Sequence, residues 1–71
     1  MTRDVAIRID SRITSIGTSL AALSQFIRKY CSEADGQHDF LLCVGKSTAE
    51  LIEISNRLYA MYPDIRPPEA G

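Results

Sequence analysis

The feature that most constrains this chain is the spacing of large apolar residues in its first half. They recur at alternating intervals of four and three residues without a break, at Ile9, Ile13, Ile16, Leu20, Leu23, Ile27 and Tyr30. This is the repeat of one stripe along a helix, at the 3.5-residue period of coiled coils, whereas a strand would require strict alternation. The sequence therefore predicts a long helix with a narrow apolar seam, and with Ser11, Thr18 and Arg28 among the polar residues beside it.

A short turn is predicted to separate this helix from a second one. The first helix is expected over residues 2–32 and the turn over residues 33–36. Gly36 can adopt the left-handed conformation that ends a helix, and Asp35 or Asp39 can cap the helix that follows. Because the connection is so short, the two helices are expected to be antiparallel neighbours.

The second helix is predicted over residues 37–62, where Pro63 stops it. Its apolar face covers about half of the circumference. The residues on this face are Phe40, Leu41, Cys43, Val44, Leu51, Ile52, Ile54, Leu58, Tyr59, Met61 and Tyr62. One neighbouring helix covers a stripe nearer about 100° wide, so something besides the first helix must cover this face. Residues 63–71 are rich in proline and are predicted to be an extended or disordered tail.

Gly17 lies beside the seam, with Ser24 and Cys31 on the same flank of the first helix. A glycine inside a helix costs about 1 kcal/mol relative to alanine. Small side chains on this flank would let another helix approach closely. Gly17 is therefore predicted to be a packing residue and not a hinge.

We predict an all-α fold, an antiparallel helical hairpin that pairs with a second copy into a four-helix bundle. A chain of 71 residues usually needs a disulfide, a metal or a second copy to be stable. The predicted core or oligomer seam is Ile9, Ile13, Ile16, Leu20, Leu23, Ile27, Tyr30, Leu51 and Leu58. The candidate surface for a partner protein is Phe40, Leu41, Ile52, Tyr59 and Tyr62. In shape, though in no motif, this architecture is similar to the Rop family of RNA-binding hairpin dimers and to the small hairpin chaperones of type III secretion.

The string Val44-Gly45-Lys46-Ser47-Thr48 looks like the end of a Walker A loop. That motif requires a glycine five residues before Gly45, where this chain has Phe40, and it requires a preceding strand. We therefore predict no nucleotide site. His38 is the only histidine and has no nucleophile beside it, so we interpret it as an exposed turn residue and predict no catalytic residues and no enzyme.

Cys31 and Cys43 are the only cysteines, and no C-x-x-C motif is present. Neither a disulfide framework nor a metal site is predicted, and no cofactor. Both thiols are interpreted as small buried apolar groups in a reducing, cytoplasmic setting. Residues 13–27 carry no charge but are too short and too polar to span a bilayer or to act as a secretory signal, so we expect a soluble chain.

The function predicted from these observations is to bind another protein and modulate it, as an inhibitor, adaptor or chaperone. The hairpin has more apolar surface than it can bury alone, and its 8 basic and 9 acidic residues create no net field that attracts nucleic acid. Two alternatives remain. One is a Rop-like nucleic-acid binder that uses Arg3, Arg8 and Arg12 from two subunits, and the other is an orphan subunit of a heteromeric complex.

Overall fold

Two long helices form an antiparallel hairpin in a computed structural model that describes residues 1–67. They are α1 (Arg3–Tyr30) and α2 (Gln37–Met61), and the described part of the chain contains no strand. A single 3-10 turn at Glu33–Asp35 connects them, and a second at Pro63–Ile65 follows α2. The all-α hairpin predicted from the apolar spacing is confirmed.

The helices are slightly shorter than the ranges expected from the sequence. Helix α1 was expected over residues 2–32, but it starts at Arg3 and ends at Tyr30. Helix α2 was expected to end at position 62 and ends at Met61. The segment predicted as an extended or disordered tail, residues 63–71, begins with a 3-10 turn in which Ile65 is half-buried. Residues 68–71 lie outside the described residues.

The turn between the helices is held by Ser32 and Asp35. The backbone N–H and the hydroxyl of Ser32 both donate to Asp35 Oδ2, at 2.9 and 3.1 Å. These two hydrogen bonds hold the pKa of the Asp35 carboxyl below its ordinary value of 3.8. Gly36 follows with φ at +87°, the left-handed conformation expected of it. The expectation that Asp35 or Asp39 caps α2 is wrong, because Gly36 is the N-cap residue and the Asp35 carboxylate faces back to Ser32.

Gln37, the first residue of α2, closes the C-terminal end of α1. Its side-chain amide donates to the carbonyl oxygens of Cys31, at 2.7 Å, and Arg28, at 3.3 Å. The last carbonyls of a helix have no partner within the helix, so this side chain satisfies groups that the end of α1 leaves free. At the other end of α1, the N–H of Val5 donates to Thr2 Oγ1 at 3.2 Å and caps the first turn.

The residues that the two helices bury against each other follow the four-three repeat on both helices. On α1 and its cap they are Ala6, Asp10, Ile13, Gly17, Leu20, Ser24, Ile27 and Cys31, with Ile9 beside them. On α2 and its cap they are Gln37, Leu41, Val44, Thr48, Leu51, Ser55, Leu58 and Tyr62. A methyl group built on Gly17 would lie 3.8 Å from Leu51 Cδ2, so Gly17 packs directly against α2, as expected. The stripe of α1 that meets α2 is therefore displaced toward the flank of small residues.

Candidate functional site

The predicted seam is divided between two surfaces. Ile27 and Leu58 are buried, and Ile9, Ile13, Leu20 and Leu51 are half-buried between the helices. The remaining members, Ile16, Leu23 and Tyr30, lie seven residues apart and are 49%, 46% and 62% exposed. Since seven residues are close to two helical turns, these three side chains lie on one side of α1. They form an exposed apolar row that α2 does not cover.

An open apolar groove of about 490 Å³ lies beside this row, at the end of the hairpin that carries the turn. The side chains of Leu23, Phe26 and Cys31 line one wall, and those of Phe40, Cys43 and Ser47 line the other. The rings of Phe26 and Tyr30 lie 4.6 Å apart between centroids, and the Lys29 ammonium is 5.3 Å from the centre of the Tyr30 ring. The walls of the groove are thus aromatic and aliphatic, with its polar content limited to a hydroxyl and two thiols.

The apolar surface continues from the groove along both helices. Ile16 lies seven residues before Leu23, and Ile54 and Met61 follow Ser47 at intervals of seven. Ile54 and Met61 are both half-exposed or more. We name this continuous surface the groove face. It consists of Ile16, Leu23, Phe26, Tyr30, Phe40, Cys43, Ser47, Ile54 and Met61.

The opposite face of the hairpin is more polar. On α1 it carries Ile7, Thr14, Thr18 and Gln25, and the two threonine hydroxyls donate to backbone carbonyls of the preceding turn at 3.1 Å. On α2 it carries Ile52 and Asn56. Ile52 and Ile54 lie on different faces because two residues correspond to a rotation of about 200° around a helix. The hairpin therefore has one apolar and one mainly polar broad face.

The structure does not bring the predicted partner surface together on one side. Phe40 lines the groove, whereas Ile52 lies on the opposite face. Leu41 is half-buried between the helices. Tyr59 and Tyr62 are half-buried as well, and both hydroxyls are engaged: Tyr59 donates to Asp10 Oδ1 at 2.5 Å and Tyr62 to the Met1 carbonyl at 2.7 Å.

Sequence reasoning missed Phe26 and misjudged Cys43. Phe26 lies outside the four-three series, although its positions three residues after Leu23 and four before Tyr30 mark it as a neighbour of both on one helix side. Cys43 was expected to be buried, but it is exposed at the rim of the groove, while Cys31 is half-buried. Both thiols are free.

The Tyr59 hydroxyl joins the two helices through its hydrogen bond to Asp10. The hydrogen bond to the Asp10 carboxylate raises the pKa of Tyr59 above its ordinary value of 10.0, and burial and the Asp10 charge act in the same direction. The positive charge of Arg66 opposes them.

Two of the three arginines near the N-terminus face carboxylates. Arg3 Nε lies 2.6 Å from Asp64 Oδ2, which ties the start of α1 to the turn after α2. Arg8 Nε lies 3.8 Å from Asp4 Oδ2 on the same helix. The basic cluster considered for nucleic acid is therefore partly neutralised within the hairpin.

The string that looks like the end of a Walker A loop is helical in the structure. The Walker-like string lies inside α2, where backbone N–H groups are used within the helix, and Lys46 is exposed. Within residues 1–67, no group of three or more histidine, cysteine or acidic side chains could hold a metal ion. Neither α1 nor α2 has the length and apolar character needed to cross a membrane.

Searches with this chain against protein-family models, curated proteins and solved structures find no match.

Proposed function

We propose that this chain is a non-catalytic helical protein that binds another protein through the groove face and modulates it, as an inhibitor, an adaptor or a chaperone. The observation that carries the proposal is the groove face itself, an open apolar groove of about 490 Å³ with further exposed apolar side chains at Ile16, Ile54 and Met61. A monomeric protein rarely exposes a large contiguous apolar surface unless a partner covers it.

The chemistry of the groove suits an amphipathic helix of a partner protein. Phe26, Phe40 and Tyr30 place three aromatic rings in or beside it. Aromatic side chains dominate the energy of protein interfaces, and charged side chains are depleted at interface centres. A helix that inserts apolar residues at spacings of three and four would fit such a groove.

Independently of this function, we propose that the hairpin forms a homodimeric four-helix bundle, because a second hairpin could cover the same surface. We place the protein in the cytoplasm, where two free thiols such as those of Cys31 and Cys43 stay reduced. The nucleic-acid alternative has less support, since Arg3 and Arg8 lie against Asp64 and Asp4.

Site-specific photo-crosslinking in the native cell tests the proposal. A photoreactive amino acid is introduced in place of Leu23, on the groove face, and in a matched variant in place of Gln25, on the opposite face of the same helix. We expect a crosslink to one specific second protein from position 23 and none from position 25. Equal crosslinking from both positions, or no crosslink to any protein other than this chain, would contradict the proposed function.

A further inference from the structure

We propose that a second copy of this chain covers the groove face in the free protein, so that two groove faces pack together as the centre of a four-helix bundle. The inference rests on the proposed function only in that both assign a polypeptide to the same surface. A partner protein that binds there must displace the second copy, and self-association thereby regulates access to the groove.

The first observation is that the hairpin is a single layer of helices. In the described residues it contains two long helices, α1 and α2, packed side by side, and its extents are 47 × 23 × 15 Å. Stable domains bury an apolar face between two packed layers. The buried apolar residues, Ala6, Ile27, Val44 and Leu58, all lie between α1 and α2, so the groove face has no second layer.

The second observation is the amount of exposed surface. The chain exposes 5462 Å², whereas a compact monomer of 7.9 kDa exposes about 4,400 Å². The excess over the compact monomer is about 1,000 Å². If residues 68–71 are left out of both areas, and are assigned the accessible area of an unfolded chain of their mass, the excess is about 700 Å². Two copies that removed this excess would bury about 1,400–2,000 Å² in total, the size of a stable specific interface.

The third observation is that the two helices carry matching repeats. On α1, the groove-face residues Ile16, Leu23 and Tyr30 recur at intervals of seven, and on α2, Phe40, Ser47, Ile54 and Met61 do the same. The first series covers residues 16–30 and the second covers residues 40–61. Knobs-into-holes packing requires partner helices with the same repeat, and a two-fold interface requires a surface that complements itself. A second hairpin meets both requirements.

The charges along this face also suit a second copy. Arg12 lies four residues before Ile16 on α1, and Glu50 lies four residues before Ile54 on α2. Because these two side chains have opposite charges, Arg12 of one copy can lie opposite Glu50 of the other. The whole chain has a formal net charge of −1, which gives little repulsion between copies.

Sedimentation of the full chain over a range of concentrations, with two matched variants, tests this inference. Ile54 and Ile52 are 50% and 54% exposed and lie on opposite faces of the same helix, so Ile54→Asp probes the groove face and Ile52→Asp is its control. We expect the unmodified chain to sediment as a dimer. Ile54→Asp should raise the dimer dissociation constant at least about 100-fold, because it buries an unpaired carboxylate, and Ile52→Asp should change it by less than about threefold.

The native thiol of Cys43 provides a measurement that needs no destabilising substitution. Cys43 is exposed in the single hairpin and lines the groove, so we expect its reaction with a thiol reagent to slow as protein concentration and dimer fraction rise. The inference is overturned if the unmodified chain is monomeric at all concentrations, if Ile52→Asp dissociates the dimer as much as Ile54→Asp, or if Cys43 reacts equally fast in monomer and dimer.

The two proposals fail in different ways. A monomeric chain that still crosslinks to a second protein from position 23 would retain the proposed function and overturn the second copy on the groove face. A dimer that protects Cys43 but crosslinks only to itself would overturn the proposed function and retain the dimer.

Discussion

The Tyr59 hydroxyl donates a hydrogen bond to the Asp10 carboxylate, with 2.5 Å between the two oxygens. The two residues are 49 positions apart in the sequence and belong to opposite helices. Two further contacts, the hydrogen bond from Tyr62 to the Met1 carbonyl and the ion pair of Arg3 with Asp64, link the same two ends of the chain. These contacts hold the start of α1 to the end of α2, at the end of the hairpin opposite the turn. Tyr59 thus stabilises the alignment of α1 and α2.

This hydrogen bond predicts a loss of stability at alkaline pH. The hydrogen bond to Asp10 raises the pKa of Tyr59 in the folded state above 10.0. The stability that this bond contributes is therefore fully present below pH 10.0 and is lost as the pH rises through the pKa of Tyr59 in the folded state. We expect Tyr59→Phe to lower the free energy of unfolding by about 1 kcal/mol at neutral pH. The substitution should also lessen the decrease in this free energy as the pH rises above 10.0. Urea denaturation followed by circular dichroism measures both. Tyr30→Phe is the control, since Tyr30 is largely exposed and donates no hydrogen bond within residues 1–67; equal effects in the two variants would contradict the prediction.

Gly17→Ala is expected to stabilise the hairpin by about 1 kcal/mol. The added methyl group would make an ordinary contact with Leu51 at 3.8 Å and would lower the entropy of the unfolded chain. Gly36→Ala should instead destabilise it by about 1 kcal/mol or more, because φ at Gly36 is +87°. The free energy of unfolding, compared at one fixed protein concentration, distinguishes the two. A destabilised Gly17→Ala variant would show that the added methyl group lies closer to Leu51 than this 3.8 Å contact.

Gln37→Ala should destabilise the chain by about 1 kcal/mol, because the carbonyls of Cys31 and Arg28 lose the amide that satisfies them. The matched control is Gln25→Ala, a change at an exposed glutamine on the polar face of α1. Thermal denaturation of both variants, with amide hydrogen exchange in the last turn of α1, measures the effect. If exchange in that turn is unchanged in Gln37→Ala, the side chain does not hold the end of α1.

Two leucines of α2 should respond very differently to truncation. Leu58 is 4% exposed and Leu42 is 49% exposed. We expect Leu58→Ala to cost about 2 to 4 kcal/mol, since it removes a buried side chain and leaves a cavity, and Leu42→Ala to cost less than about 1 kcal/mol. Chemical denaturation of both variants checks the difference. A large effect of Leu42→Ala would indicate that a surface outside the groove face is covered in solution.

The local features of this protein were predictable from its sequence because each depends on residues close together in the chain. The four-three spacing from Ile9 to Tyr30 predicts a helix through the fixed rise and rotation of each residue. Gly36 predicts the break, since it tolerates the left-handed conformation observed there. The excess apolar surface of α2 predicted that a single neighbouring helix could not cover it, and Phe40, Ile54 and Met61 remain half-exposed or more in the structure.

The tertiary structure decided which side of that helix meets α2. An apolar stripe with this spacing can pack against two neighbouring helices, one on each flank. The sequence of α1 does not determine which flank packs against α2. The structure places α2 on the flank of Gly17 and Ser24, because small side chains let two helix backbones approach closely, and Leu51 packs against the space at Gly17. That choice turns Ile16 and Leu23 outward into the groove face, and it aligns Tyr59 with Asp10. Neither result could be derived from one helix, because each depends on how the surfaces of both helices fit together.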